Sequence, residues 1–210
     1  TPPKGVNDKA FISQNADLSS IPTRHKQAYF NLLCEYSDIF SRHHLDVGTC
    51  TVIPHELRLQ EPFKVVNQPP YRVPYHLMKL QHDYVDELHA AGIIKPSNSP
   101  FSSPLLMVRQ GNADPNLPIS TQFRLVHNYK QVNAQLLASS WPMKHLYELV
   151  DSVSQCSIYS VLDASSGYFN QVLIDKHGAS AFNVPGKGTY EYVKSAQGLN
   201  SSPAAFQRLV

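Results

Sequence analysis

The sequence predicts an α+β fold, and three observations carry the prediction. Apolar residues recur at intervals of three and four over residues 23–40, 76–91 and 142–153, which is the helical period. Shorter apolar or alternating runs of strand length stand at PLLMV, FRLVHNY, SIYSVLDA, YFNQVLI, SAFNV and TYEYVKS. Helices and strands alternate without the strict rhythm of a doubly wound parallel sheet, and no internal repeat is present.

Taken in order, residues 1–20 are polar and irregular and read as a linker. Thr23 caps a helix carrying Tyr29, Leu32, Leu33, Tyr36, Ile39 and Phe40. HELRLQ, from His55, alternates as a short strand does, and Pro62, Pro69, Pro70 and Pro74 hold the next stretch extended. The second helix runs from about His76 to Ala91 on Leu77, Leu80, Tyr84 and Leu88, with Gly92 as its stop. PLLMV leads to Arg109, QGNADPNLPIST is a loop, and FRLVHNY is a strand. Pro142 begins a third helix bearing Leu146, Leu149, Val150 and Val153. SIYSVLDA is a strand ending on an acid, and strands follow at YFNQVLI, SAFNV and TYEYVKS. Ser202 and Pro203 open a last helix, with Phe206, Leu209 and Val210 starting an apolar stripe. Because the chain opens on Thr1 and that helix meets no stop signal, both ends are expected to be cut.

Composition narrows the class. The 210 residues are 42% hydrophobic and 16% charged, which excludes a fully disordered chain. No apolar run of about 18 residues exists, so no transmembrane helix is expected, and TPPKGVNDKA has no signal-peptide character. Cys34, Cys50 and Cys156 are scattered, fitting neither a disulfide framework nor a zinc knuckle, and a reducing compartment suits them. The net charge is only +2, so any nucleic-acid contact must come from locally concentrated cations. Sixteen prolines against 9 glycines imply short elements and stiff connections.

Three segments can carry chemistry. In IYSVLDASSGYF a buried-looking strand delivers Asp163, whose carboxylate can ligate a hard divalent cation with help from a neighbouring carbonyl. The turn Ser165-Ser166-Gly167 can aim its amides at an anion such as phosphate, with Tyr168 as a flat wall beside it. An aspartate after a strand is, however, more often a turn-former. In FRLVHNYKQVN, Arg124 and Lys130 stand an even number of residues apart, so on one strand both address one anion or form a charged, solvated edge. SAQGLNSSPAAFQ sets Gln197-Gly198 in a turn before a helix start, a place that favours an anion although many such caps bind nothing. His82, Asp86 and His89 make no zinc signature, His43-His44 is a loop pair, and no Ser/His/Asp spacing, P-loop or dinucleotide glycine pattern occurs.

In order and spacing, VIPHELRL, YRVP, VDELHAAGIIKPSNSPFSSPLLMVR, FRLVHNYKQVN, YSVLDASSGYFNQVLI, SAFNV, TYEYV and AQGLNSSPAAFQ resemble the reverse transcriptases of gypsy-like long-terminal-repeat retrotransposons. Retroviral enzymes are more distantly similar. The resemblance covers about Val47 to Val210 and implies a right-hand polymerase fold, fingers plus an incomplete palm. It implies a leader with one helix over residues 1–46, fingers at about 55–138 and 171–201, and palm at about 139–170 and 202–210. On it, Asp163 matches the first metal-binding aspartate and the Ala164 carbonyl a secondary ligand. Ser166 and Gly167 match the turn that holds the triphosphate, and Tyr168 the aromatic gate against the 2′-hydroxyl. Arg124 matches the fingers arginine on the nucleotide phosphates, and Gln197 and Gly198 match residues beside nucleotide and template. The implied reaction is attack of a primer 3′-hydroxyl on the α-phosphate with loss of pyrophosphate, assisted by two Mg²⁺ or Mn²⁺ ions. Implied partners are an RNA or DNA template–primer, a deoxynucleoside triphosphate, and the remaining polymerase, ribonuclease H and integrase regions of a Pol polyprotein. The implied place is the cytoplasm or a retroelement particle, with no membrane.

The chain departs from the family at four points. Asn128 stands where an aspartate is usual, the fingertip loop QGNADPNLPIST has no Lys or Arg, and SAF replaces a lysine-bearing segment. The aromatic-x-Asp-Asp segment that supplies the other catalytic carboxylates is not among these residues. One carboxylate cannot hold two mutually repelling dications, so the 210 residues alone are expected to be inactive. An enzyme fragment is thus the leading expectation. A non-catalytic relic that binds nucleic acid or protein, and a decayed copy without function, are the alternatives.

Overall fold

The structure, a computed structural model, describes residues 8–111, 116, 119–137, 141–142, 145–154 and 156–210, the side chains of Ser120 and Leu146 excepted. These fall into two compact units, divided between His43 and His44. In the first, Asp8 caps helix α1 (Lys9–Asn15), its Oδ1 accepting from the Phe11 amide at 2.9 Å. Arg42 reaches Asp8 Oδ2 at 2.8 Å and lies 4.7 Å over the Phe11 ring. That amide and Arg42 hold the Asp8 carboxyl below the usual carboxylate range. Residues 1–20 are therefore not wholly irregular, since a side-chain cap and an ion pair organise a helix inside the expected linker. Helix α2 (Thr23–Glu35) starts where Thr23 predicts, but with Pro22 rather than Thr23 at the cap position.

The second unit holds the main core. Strand β1 (Cys50–Glu56) pairs in parallel with β5 (Gln171–Ile174). β3 (Leu105–Arg109) and β4 (Phe123–His127) form an antiparallel pair. β2 (Ile94–Pro96), β7 (Gly188–Tyr192) and β6 (Phe182–Val184) form a three-stranded antiparallel sheet in that order. Helix α3 (Tyr75–Ala90) turns Tyr84, Val85 and Leu88 inward, and Gly92, at φ +68°, ends it as predicted. Phe101, Leu105, Tyr129, Phe182 and Leu199, each at most 2% exposed, join them in the core. Four short helices follow along this unit, α4 (Ile119–Gln122), α5 (Lys130–Asn133), α6 (Leu146–Val153) and α7 (Ser202–Leu209).

Several expectations need correction. Ile158–Ala164 belongs to no strand, and Ile158, Val161 and Leu162 are 84%, 90% and 84% exposed. A strand exists through its ladder, and among the described residues nothing pairs with this segment. Arg124 and Lys130 do not share a strand. β4 ends at His127, the Asn128 amide donates to Pro104 O at 2.9 Å, Asn128 Oδ1 accepts from the Lys130 amide at 3.3 Å, and Lys130 opens α5. This local Asn turn competes successfully with the ladder. HELRLQ is only briefly a strand: β1 ends at Glu56, and beyond it Leu59 makes one bridge to Leu136. In YFNQVLI the strand begins at Gln171, because Gly167–Asn170 forms a 3₁₀ turn. The third helix starts at Leu146, not Pro142, where the His145 amide donates to Glu148 Oε2 at 3.3 Å. Ser201, not Ser202, occupies the cap position of α7. Residues 112–115 and 117–118 of the fingertip loop lie outside the described residues.

Candidate nucleotide site

A cleft of about 240 Å³ opens between α3, β4 and the turns at 165–170 and 194–200. Arg124, Ser166 and Gln197, from three separate stretches of sequence, line it together with Tyr84, Phe169 and Tyr192. Arg124 lies on β4 opposite Val108 with its side chain exposed, and among the described residues no carboxylate pairs with it. Burial pushes the Tyr84 hydroxyl up to about 12 against the pull of Arg124, so it stays a neutral donor or acceptor on the cleft wall. The cleft thus offers the Arg124 cation, the Gln197 amide and the Tyr84 hydroxyl to a polar anion, with aromatic rings beside them.

The turn after Asp163 is built tightly. Ser166 sits in the left-handed region at φ 46°, ψ 47°, a conformation that costs a non-glycine residue about 1–2 kcal/mol. Its Oγ donates to His44 O at 3.0 Å, and its own carbonyl accepts from the Phe169 amide at 2.8 Å. Asn170 Nδ2 donates to Ser165 O at 2.9 Å, and Asn170 Oδ1 accepts from the Gly48 amide at 2.7 Å. Lys194, only 8% exposed, donates from Nζ to Gly48 O at 3.0 Å and Thr49 Oγ1 at 2.6 Å. Burial lowers the pKa of that ammonium from its usual value. Among the described residues the Ser165 and Ser166 amides donate to no protein acceptor, so they remain available to a ligand. Gly167 packs closely, since a Cβ there would stand 3.1 Å from Phe206 Cζ and press on that ring. Tyr168 meets the same ring edge-on, with centroids 5.6 Å apart.

Gln197 and Gly198 form an exposed turn, Gly198 at φ +91°. Asn133 clamps it, donating from Nδ2 to Gly198 O at 2.9 Å and accepting from the Asn200 amide at 3.0 Å. Sequence reasoning missed Asn133, His44, Asn170 and Lys194 as supports. The one available signal was the repeated Asn and Gly punctuation of YKQVN, YFN and QGLN.

Asp163 and Ala164 are exposed and lie outside the cleft lining. The carboxylate is not buried against a base, but among the described residues no group of three acidic, His or Cys side chains could hold a metal ion. One exposed carboxylate and one carbonyl do not fit a pair of dications, and no chemical step through such ions can be drawn from this chain. No helix among the described residues is long and apolar enough to cross a membrane.

The architecture belongs to a known class, that of the reverse transcriptase fold. The prototype foamy virus protease–reverse transcriptase (CSH mutant) superposes with a TM-score of 0.77 at 19% identity, covering 95% of this chain and 25% of that one. The foamy viral enzyme in complex with an RNA/DNA hybrid gives 0.73 at 18% identity, with the same coverage. In sequence the chain is related to the Pol polyproteins of gypsy-type retrotransposons. It is 29% identical over 205 residues, 97% of its length, to the retrovirus-related Pol polyprotein from transposon 412 of Drosophila melanogaster. The chain spans 16% of that polyprotein. No model of a known protein family matches it.

Proposed function

We propose that this chain supplies the fingers and part of the palm of an RNA-directed DNA polymerase, and that its cleft receives the triphosphate of an incoming deoxynucleotide. The observation that carries the reading is the convergence of Arg124, Ser166 and Gln197 on one cleft. Arg124 takes the phosphates, the free amides of the Ser166 turn take an oxygen, and Gln197 bounds the base, with Tyr168 and Gly198 beside the lining residues Phe169 and Gln197 at its edge. A template–primer of RNA or DNA is the partner, and the foamy viral complex with an RNA/DNA hybrid supports it. Mg²⁺ or Mn²⁺ would bind Asp163 only with carboxylates from elsewhere. The cytoplasm or a retroelement particle is the place of action.

Titration of the chain with a deoxynucleoside triphosphate, read at the Gly198 amide by NMR, tests the site. Arg124→Ala should weaken binding about tenfold or more, the scale of one lost charge-assisted contact. Equal affinity in Arg124→Ala and the parent chain would remove the cleft from consideration. Primer extension by the 210 residues alone should stay at background.

A further inference from the structure

His55 is 2% exposed, and its ring stands between two hydroxyls, Nδ1 2.8 Å from Ser195 Oγ and Nε2 2.8 Å from Ser201 Oγ. Ser195 Oγ lies 3.3 Å from Ser202 Oγ, and Ser202 Oγ lies 2.7 Å from the Ala196 carbonyl. With every contact counted as a hydrogen bond, one arrangement of protons satisfies all four. A carbonyl oxygen only accepts, so Ser202 donates its single proton to Ala196. Ser195 must then donate to Ser202, which leaves it accepting from His55 Nδ1–H. A neutral imidazole carries one N–H, so Nε2 is bare and accepts from Ser201. Burial pushes His55 down to about 4, so the ring is neutral at neutral pH.

The chain of hydrogen bonds runs to a functional turn. Ser195 and Ala196 directly precede Gln197, and the Ser195 amide donates to Gln171 O at 2.9 Å. Gln171 Nε2 donates to Ile53 O at 2.8 Å and Ala205 O at 3.2 Å, tying β5 to β1 and α7. The charged groups around the ring are known on each side. Asp175, after β5, favours its charged form, while Glu56, Arg58 and Arg208 line the groove that His55 and Ser201 share. Lys194 is engaged with Gly48 and Thr49.

We propose that His55 is a positioning residue, which through this one-directional chain fixes the Gln197–Gly198 turn against β1 and the start of α7. The purpose assigned to the turn rests on the nucleotide reading above, but the chain itself does not. Asn133 clamps the far side of the turn, so His55 supplies the near-side anchor.

Long-range ¹⁵N–¹H spectra of the 210-residue chain test the order. At neutral pH His55 should be the Nδ1-protonated tautomer. Ser195→Ala removes the acceptor of that proton, so the ring should turn to Nε2–H and donate to Ser201, whereas Ser201→Ala should keep Nδ1–H. In Ser195→Ala, amide exchange across residues 197–199 should quicken about fivefold or more, and Ser195→Thr, which keeps the hydroxyl, should restore it. Should Ser195→Ala not fold, Ser202→Ala frees the Ser195 proton for Nδ1 and should turn the ring over equally. An Nε2-protonated parent chain overturns the proposal, as does unchanged exchange in a folded Ser195→Ala. The expected tautomer and exchange, in a chain that does not respond to nucleotide, uphold the anchor and remove the nucleotide reading.

Discussion

Two strand-like stretches meet opposite fates in this molecule, and the more apolar of them is the one left exposed. Around β6, Ala181 and Phe182 are 0% exposed, and the Phe182 ring lies 4.5 Å from His127 and 5.5 Å from Tyr192. In the stretch 158–162, Val161 is 90% exposed and Leu162 84%. Strand propensity is similar in both, so propensity does not decide. What decides is a partner: β6 has β7 beside it and α3 in the same core, whereas 158–162 has none among the described residues. The candidate site straddles the divide, with Arg124, Ser166 and Gln197 on supported structure and Asp163 on the unsupported side.

Mutations sharpen this contrast. Phe182→Ala should cost about 3–5 kcal/mol in denaturant unfolding, while Val161→Ala should stay within about 0.5 kcal/mol. Similar losses at the two positions would mean that the 158–162 segment is packed after all. Acid should act on the supported region next. Burial holds His55 down at about 4 and His127 at about 3, both below the value near 6.5 of an exposed ring. A lowered folded pKa means that the unfolded chain binds the proton first, so stability is full above about 6.5 and falls as pH drops towards 4 and 3. His55 alone should remove about 3 kcal/mol between pH 7 and pH 4, measurable as a falling urea midpoint. A flat midpoint over that range would show both rings solvated. Gly167→Ala should cost about 1 kcal/mol by pressing on Phe206, and Phe206→Leu in the same chain should recover part of it. Asp163→Asn, at an exposed position, should change the unfolding free energy as little as Val161→Ala does, within about 0.5 kcal/mol in denaturant unfolding.

Much of the supported region was legible because its signals are local. The α3 stripe ends on a glycine that adopts positive φ, and PLLMV and FRLV pair residue for residue from Leu105 with His127 to Arg109 with Phe123. The site was legible only as separate motifs: Arg124, Ser166 and Gln197 line one cleft, and no spacing rule could give their meeting. The support was hidden for the same reason. His55 looks like one polar residue in an alternating run, and only a contact 140 residues away along the chain makes it an anchor. The failure at SIYSVLDA is different, because strand pattern states a willingness to pair and says nothing of whether a neighbour is there.

The parallel pairing of β1 with β5 carries a consequence for biosynthesis. Cys50 faces Gln171, so β1 must wait for on the order of 120 further residues to be synthesised, about 6–24 s at ordinary elongation speeds. Throughout that interval its backbone donors and acceptors, and the outward Val52, are open to any passing strand. Only when the 171–174 segment clears the ribosome can β1 find its partner, so slower translation lengthens the window in which the nascent chain can be captured by a chaperone or lost to aggregation.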